Sequence, residues 1–154
     1  MKMKLFAKKY PPKNEMKIVE KWAIATGRMN NSLMFIRFNQ GLREIAGHPD
    51  YPFQVGIAIP LEDMNEHGMP TRLEQKLFND IENKIFDELA GDNELLLANI
   101  LTFPGVREFS LYAGDPKLVE ARFMELRNSI SSHELQLSIQ VDKDWKVYKG
   151  FSPK

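Results

Sequence analysis

The sequence predicts an α+β fold with a mainly antiparallel sheet, and three observations carry that prediction. Several short stretches alternate apolar and polar residues with a period of two, as strands with one buried face do. Two longer stretches place apolar residues three and four apart behind strong start signals, as amphipathic helices do. From Phe53 onward the stretches follow one another in the order β-α-β-β-α-β.

Met1 to Asn14 holds five lysines and reads as a basic, frayed arm, which leaves 15–154 as a single domain. Its one apolar cluster, Leu5-Phe6-Ala7, is followed by Lys8 and Lys9, so the run of about 7–15 apolar residues that a signal peptide needs is missing. Ile18, Glu20, Trp22 and Ile24 alternate with Val19, Lys21 and Ala23. Gly27 to Asn31 supplies turn residues and Leu33 to Phe38 resumes an apolar run, giving a β-hairpin with a long polar tip. Asn39 to Tyr51 carries two glycines and a proline and reads as a loop, with one short helical turn around Leu42 to Ala46. Phe53, Val55, Ile57 and Ile59 form a third strand that ends at Pro60. The other face of that strand, Gln54, Gly56 and Ala58, is built from small side chains, which calls for a closely packed element or a bound partner.

Thr71-Arg72-Leu73-Glu74 fits a capping box, in which the Thr71 hydroxyl and the Glu74 carboxylate serve N–H groups that the first helical turn leaves open. Leu73, Leu77, Ile81, Ile85 and Leu89, joined by Phe78, then predict one apolar stripe on a helix that stops near Ala90-Gly91. Leu95 to Phe103 is nearly all apolar and suits a strand. Pro104-Gly105 fits the centre of a type II turn, because proline presets φ at the first position and glycine accepts positive φ at the second. Arg107 to Tyr112 returns as a strand, and Asp115-Pro116 starts a second helix with Val119, Phe123, Leu126 and Ile130 on its buried face. Leu135, Leu137, Ile139 and Val141 alternate with Glu134, Gln136, Ser138 and Gln140, which predicts a last strand with one dry and one wet face.

Right-handed crossovers would place both main helices on one face of this sheet, the ferredoxin-like split β-α-β arrangement. The N-terminal hairpin must then lengthen the sheet or cover part of its open face.

At 154 residues the chain is the size of one ordinary domain, and 43% hydrophobic with 27% charged residues is an ordinary globular balance. Twenty-one basic residues offset twenty-one acidic ones, so no overall field draws the chain to nucleic acid or to an anionic membrane, and neither is expected as a partner. The sequence has no cysteine, hence no disulfide framework and no thiolate nucleophile, and a cytoplasmic location fits this best. His48, His67 and His133 lack ligand spacing, and no G-x-S-x-G, P-loop or dinucleotide fingerprint occurs. No metal, no cofactor and no catalytic residue are expected.

Pro70 with Glu74, then Gly105, Arg107, Phe109 and Tyr112, then Asp142, Asp144-Trp145, Tyr148 and Pro153 resemble the bacterial family called domain of unknown function 695. The likeness runs from about Trp22 to the end and is sharpest in the closing DKDWKVYKGFSP. It implies a fold-sized unit with no established activity. A weaker likeness, to the ribonuclease E inhibitor B family, implies a similar α/β arrangement and a protein-binding role, although this chain lacks that family's strong acidity.

Six residues are candidates for a binding site: Arg107, Tyr112, Asp142, Asp144, Trp145 and Tyr148. Arg107 and Tyr112 have the donors to line a pocket for an anionic group, and the duller alternative pairs Arg107 with a carboxylate of the closing segment. Asp142 and Asp144 flank one residue just past a strand, where carboxylates serve either as turn formers or as acid–base groups. Trp145, Tyr148 and Phe151 recur every three residues, either as a stacking platform or as an aromatic lid folded back on the core. The leading expectation is a non-enzymatic interaction module, with another protein as partner, that uses the sheet face left free by the helices or an exposed strand edge. The alternative is a hydrolase or metal-assisted enzyme that brings Asp142, Asp144 and Arg107 together in a deep pocket.

Overall fold

A computed structural model of the chain describes residues 9–153. Six strands, β1 (Trp22–Met29), β2 (Ser32–Asn39), β3 (Phe53–Pro60), β4 (Leu95–Phe103), β5 (Val106–Ala113) and β6 (Gln136–Val141), form one open antiparallel sheet in the order β1-β2-β4-β5-β3-β6. The helices are α1 (Arg72–Lys84), α2 (Pro116–Ser129) and the short α3 (Lys146–Gly150), and a 3-10 helix spans Gln40–Ile45. The N-terminal hairpin lengthens the sheet, with β2 pairing beside β4.

The long hairpin tip expected at Gly27 to Asn31 is corrected. Met29 pairs with Ser32, so only Asn30 and Asn31 turn the chain, at φ of 53° and 66°. Two asparagines at positive φ make the tight turn whose twist matches the strands, and β1 therefore continues through Gly27. Gly105, at φ 88°, accepts the left-handed position of the β4–β5 turn as anticipated.

On one face Val55, Ile57 and Ile59 of β3 and Phe109 and Leu111 of β5 pack against Phe78 and Ile81 of α1 and Val119, Phe123 and Leu126 of α2. A bulge between Leu97 and Asn99 shifts the parity of β4, so that Leu95, Leu97 and Ile100 belong to this core. α1 ends in a π-helical turn, Ile85–Leu89, where the Ala90 N–H bonds the Ile85 carbonyl five residues back at 3.1 Å.

The expected apolar stripe is buried from Phe78 through Ile81, Ile85 and Leu89, and it departs from expectation only at its first two positions. Leu73 and Leu77 are 62% and 38% exposed, whereas Glu74 and Phe78 are fully buried. The Glu74 carboxylate is held inward by three donors: the N–H groups of Glu62 (2.5 Å) and Asp63 (3.3 Å), and His133 Nε2 (2.9 Å). The capping box is thus half formed. Thr71 Oγ1 accepts from the Glu74 N–H at 3.2 Å, but Thr71's own N–H goes to the Asp63 carbonyl rather than to Glu74.

The opposite face is not left free. Met34, Ile36, Phe38 and Leu101 form one small core there, with Phe151 against it. Leu96 and Tyr112 join Leu42, Ile45, Tyr51, Trp145 and Tyr148 in another, with Tyr10 and Ile18 against it. The frayed arm is accordingly corrected for its described part. Tyr10 donates to the Ala46 carbonyl at 3.0 Å and Lys13 pairs with Glu94 at 2.9 Å, while 1–8 lie outside the described residues.

Candidate functional site

Where the helix-free face is not covered by aromatic side chains, it forms a small polar recess. Gly56 stands opposite Ser110 on β5 and Ser138 on β6, and Ala58 stands opposite Glu108 and Gln136. These two small residues lower the floor, while Val147 and Phe151 of the closing segment wall one side, enclosing about 260 Å³. Gln140 Nε2 donates to Gln54 Oε1 at 3.0 Å, and Gln54 Nε2 donates to Ser110 Oγ at 2.9 Å, so neutral donors and acceptors run across three strands. A β-carbon on Gly56 would come within 2.7 Å of Ser138 Oγ. Glycine here is what keeps the Ser138 hydroxyl in place. Glu108 also lines the recess, and burial pushes its carboxyl above the ordinary carboxylate pKa.

Beside the recess, four of the six candidate residues meet. Asp142 accepts from the Tyr112 hydroxyl at 2.7 Å and from the N–H groups of Lys146 and Val147 at 2.8 and 3.0 Å. The Tyr112 oxygen in turn accepts from the Tyr148 N–H at 3.0 Å. Burial and the Asp142 carboxylate both push the Tyr112 phenol well above its ordinary pKa. Trp145 is fully buried and donates its indole N–H to the Tyr51 carbonyl at 3.0 Å, and Tyr148 donates its hydroxyl to the Asn39 carbonyl at 2.6 Å. The closing aromatics therefore form a lid on the core rather than an open platform. Asp144 sits exposed in the turn before Trp145.

Arg107 is not part of this group. It lies five residues from Tyr112 along β5, and an odd separation along a strand places two side chains on opposite faces. A single pocket lined by both, as the sequence suggested, does not form. Nor does Arg107 pair with the closing segment. Its Nε donates to Thr102 Oγ1 at 2.9 Å, its Nη2 to Gln75 Oε1 at 3.1 Å, its Nη1 lies 3.6 Å from Glu82, and the guanidinium stands over the Phe78 ring.

The family model that matches is described as a family of unknown function, DUF695, and it covers residues 20–151. The chain belongs to the DUF695 family. The DUF695 match takes in the whole sheet, the recess and the Tyr112–Asp142 cluster, and it stops at Phe151, the residue that walls the recess. No curated protein matches the chain. Among the described residues no three histidine or acidic side chains are grouped to hold a metal ion, and no helix is long and apolar enough to cross a membrane.

Sequence reasoning pointed to the Gln54, Gly56 and Ala58 face but missed Ser110, Ser138 and Gln140, which complete the recess. Period-two alternation assigns Gln54, Ser138 and Gln140 to the helix-free side, but which of them become neighbours depends on β6 pairing with β3 across 86 residues. His48 and His133 are both occupied structurally. The Asp50 N–H bonds His48 Nδ1 at 3.0 Å, so His48 Nε2 carries the proton it shares with the Pro11 carbonyl at 2.7 Å.

Proposed function

We propose that this DUF695 chain is a non-enzymatic interaction module that receives part of a partner protein in the recess over Gly56 and Ala58. The observation that carries this reading is a polar cavity kept open on a sheet face otherwise sealed by aromatic residues. Its size points to a protein partner. Small-molecule sites usually enclose about 300–1,000 Å³, whereas the 260 Å³ here suits one or two inserted side chains. β6 forms one end of the sheet beside the recess, so a partner strand laid along that edge would have the cavity within reach. The order β4-β5-β3-β6 with two helices on one face supports a ferredoxin-like split β-α-β core for 53–141. The absence of cysteine supports the cytoplasm as its compartment. The hydrolase alternative draws no support from the geometry, because Arg107 stands on the helix side of the sheet and Asp142 is engaged by Tyr112 and two backbone N–H groups.

The test is a variant that fills the recess from its floor, Ala58→Phe. Capture from a lysate of the native cell, with mass spectrometry, should recover a partner with the parent chain and lose it with Ala58→Phe while the melting temperature stays close to the parent's. An unchanged set of captured proteins on the filled variant would count against the recess.

A further inference from the structure

The recess over Gly56 and Ala58 contains a negative charge that no group of the protein answers. Among the described residues that line it, Glu108 is the only charged one. Glu108 is half-buried, accepts no hydrogen bond from a described residue, and lies beyond ion-pairing distance of every described lysine, arginine and histidine. The two buried glutamates are treated differently by the fold. Glu74 is met by His133 and two backbone N–H groups, and Glu82 is met by Arg37. Burial is what displaces the Glu108 pKa, upward, with no cation acting against it. An unanswered acid in an otherwise neutral cavity costs the fold stability and would gain from a cation placed beside it.

We propose that the recess takes a lysine side chain of the partner, with its ammonium at Glu108 and the neighbouring serine hydroxyls and its methylene stem along Val147 and Phe151. This rests on the recess being the partner's site and adds the charge of what enters it. Ser110 follows Glu108 on the same face of β5, and Ser138 lies beyond Gly56 on β6. Gln140 spends its Nε2 on Gln54, which leaves its Oε1 as a further acceptor. A compact ammonium with donors in three directions suits neutral acceptors spread over several strands better than the planar fork of a guanidinium does. Val147 and Phe151, both half-buried, supply the apolar wall along which a lysine stem packs.

The probe is Nα-acetyl-lysine N-methylamide, titrated into the full chain and followed by amide resonances. Its neutral counterpart is the 6-hydroxynorleucine analogue, which carries a hydroxyl in place of the ammonium. The lysine probe should give saturable shifts at Gly56, Ser110 and Ser138, and the neutral analogue should bind at least about fivefold more weakly, since a charge-assisted hydrogen bond is roughly twice as strong as a neutral one. Glu108→Gln removes the charge at nearly constant volume, and on it the two probes should bind alike. Its melting temperature at pH 7 should be no lower than the parent's, so that lost preference is not lost fold. No saturable shift with the lysine probe, equal binding of the two probes by the parent, or an undiminished preference for lysine on Glu108→Gln would each overturn the proposal. Capture from a lysate separates the lysine from the recess as such. A partner lost on Ala58→Phe but kept on Glu108→Gln would leave the recess as the site and overturn the lysine, whereas a partner kept on both would overturn the recess and the lysine with it.

Discussion

The indole of Trp145 lies flat on the phenol ring of Tyr112, with centroids 4.0 Å apart and planes 9° from parallel. Trp145 occupies the left-handed region, at φ 57° and ψ 43°, which costs a bulky residue about 1–2 kcal/mol. Full burial of the ring and the stack itself, about 0.5–1.5 kcal/mol beyond area burial, together outweigh that strain. The ring is what the backbone bends to place.

Trp145→Ala should therefore destabilise the domain by about 3–5 kcal/mol, the usual range for removing a large buried aromatic. Urea denaturation measures this directly. A midpoint near the parent's would mean that the closing segment can dock without its indole.

Tyr112→Phe keeps the stack but removes the oxygen that donates to Asp142 and accepts from the Tyr148 N–H. A buried N–H without an acceptor costs about 1–3 kcal/mol, and that is the loss expected. Asp142→Ala removes the cap on α3 and the same Tyr112 bond, so a double-mutant cycle of the two should be less than additive. Strict additivity would show the two groups acting independently.

Glu108 gives a pH-dependent prediction. Its carboxyl is raised in the folded state by burial, so the protonated form suits the fold and ionisation costs stability. The contribution is fully present below the unfolded pKa, about 4, and is lost as pH rises through the higher folded value. Glu108→Gln, which cannot ionise, should be more stable than the parent at pH 7, and the two should converge as pH falls below about 4. Parallel stability curves from pH 3 to 7, measured as a pH series of denaturation midpoints, would show that Glu108 keeps its hydration.

Features fixed by neighbours in sequence were legible: the Asp115 cap, which accepts from the Lys117 and Leu118 N–H groups, the Pro104-Gly105 turn and the alternation of β6 as far as Ile139, although Val141, expected on the dry face, is 62% exposed. The separation of Arg107 from Tyr112 was also readable, since it follows from counting along one strand. What could not be read depends on distant partners. Glu74 turns inward because His133, 59 residues away, and the Glu62–Asp63 backbone meet it, and Arg37 finds Glu82 across 45 residues. No periodicity encodes such pairs, so the first two positions of the stripe, Leu73 and Leu77, looked buried until the tertiary contacts of Glu74 displaced them.

That displacement separates two roles at the start of α1. The Thr71 hydroxyl serves one N–H, that of Glu74, and donates to Asp63 Oδ2 at 2.6 Å on the surface, so Thr71→Ala should cost about 0.5–2 kcal/mol, as for other helix caps. The Glu74 carboxylate is wholly buried and holds together three parts of the chain: α1, the connection after β3, and the segment before β6. Glu74→Ala would strand the Glu62 N–H and the His133 ring nitrogen away from water, and breaking a buried polar group of this kind costs about 3–5 kcal/mol. Glu74→Gln keeps one acceptor oxygen at nearly the same volume and should fall between the two. The order expected from denaturation midpoints is therefore Thr71→Ala mildest, Glu74→Gln intermediate and Glu74→Ala most severe. If Glu74→Ala were no worse than Thr71→Ala, the carboxylate would be acting only as part of the cap, and its inward contacts would contribute nothing to stability.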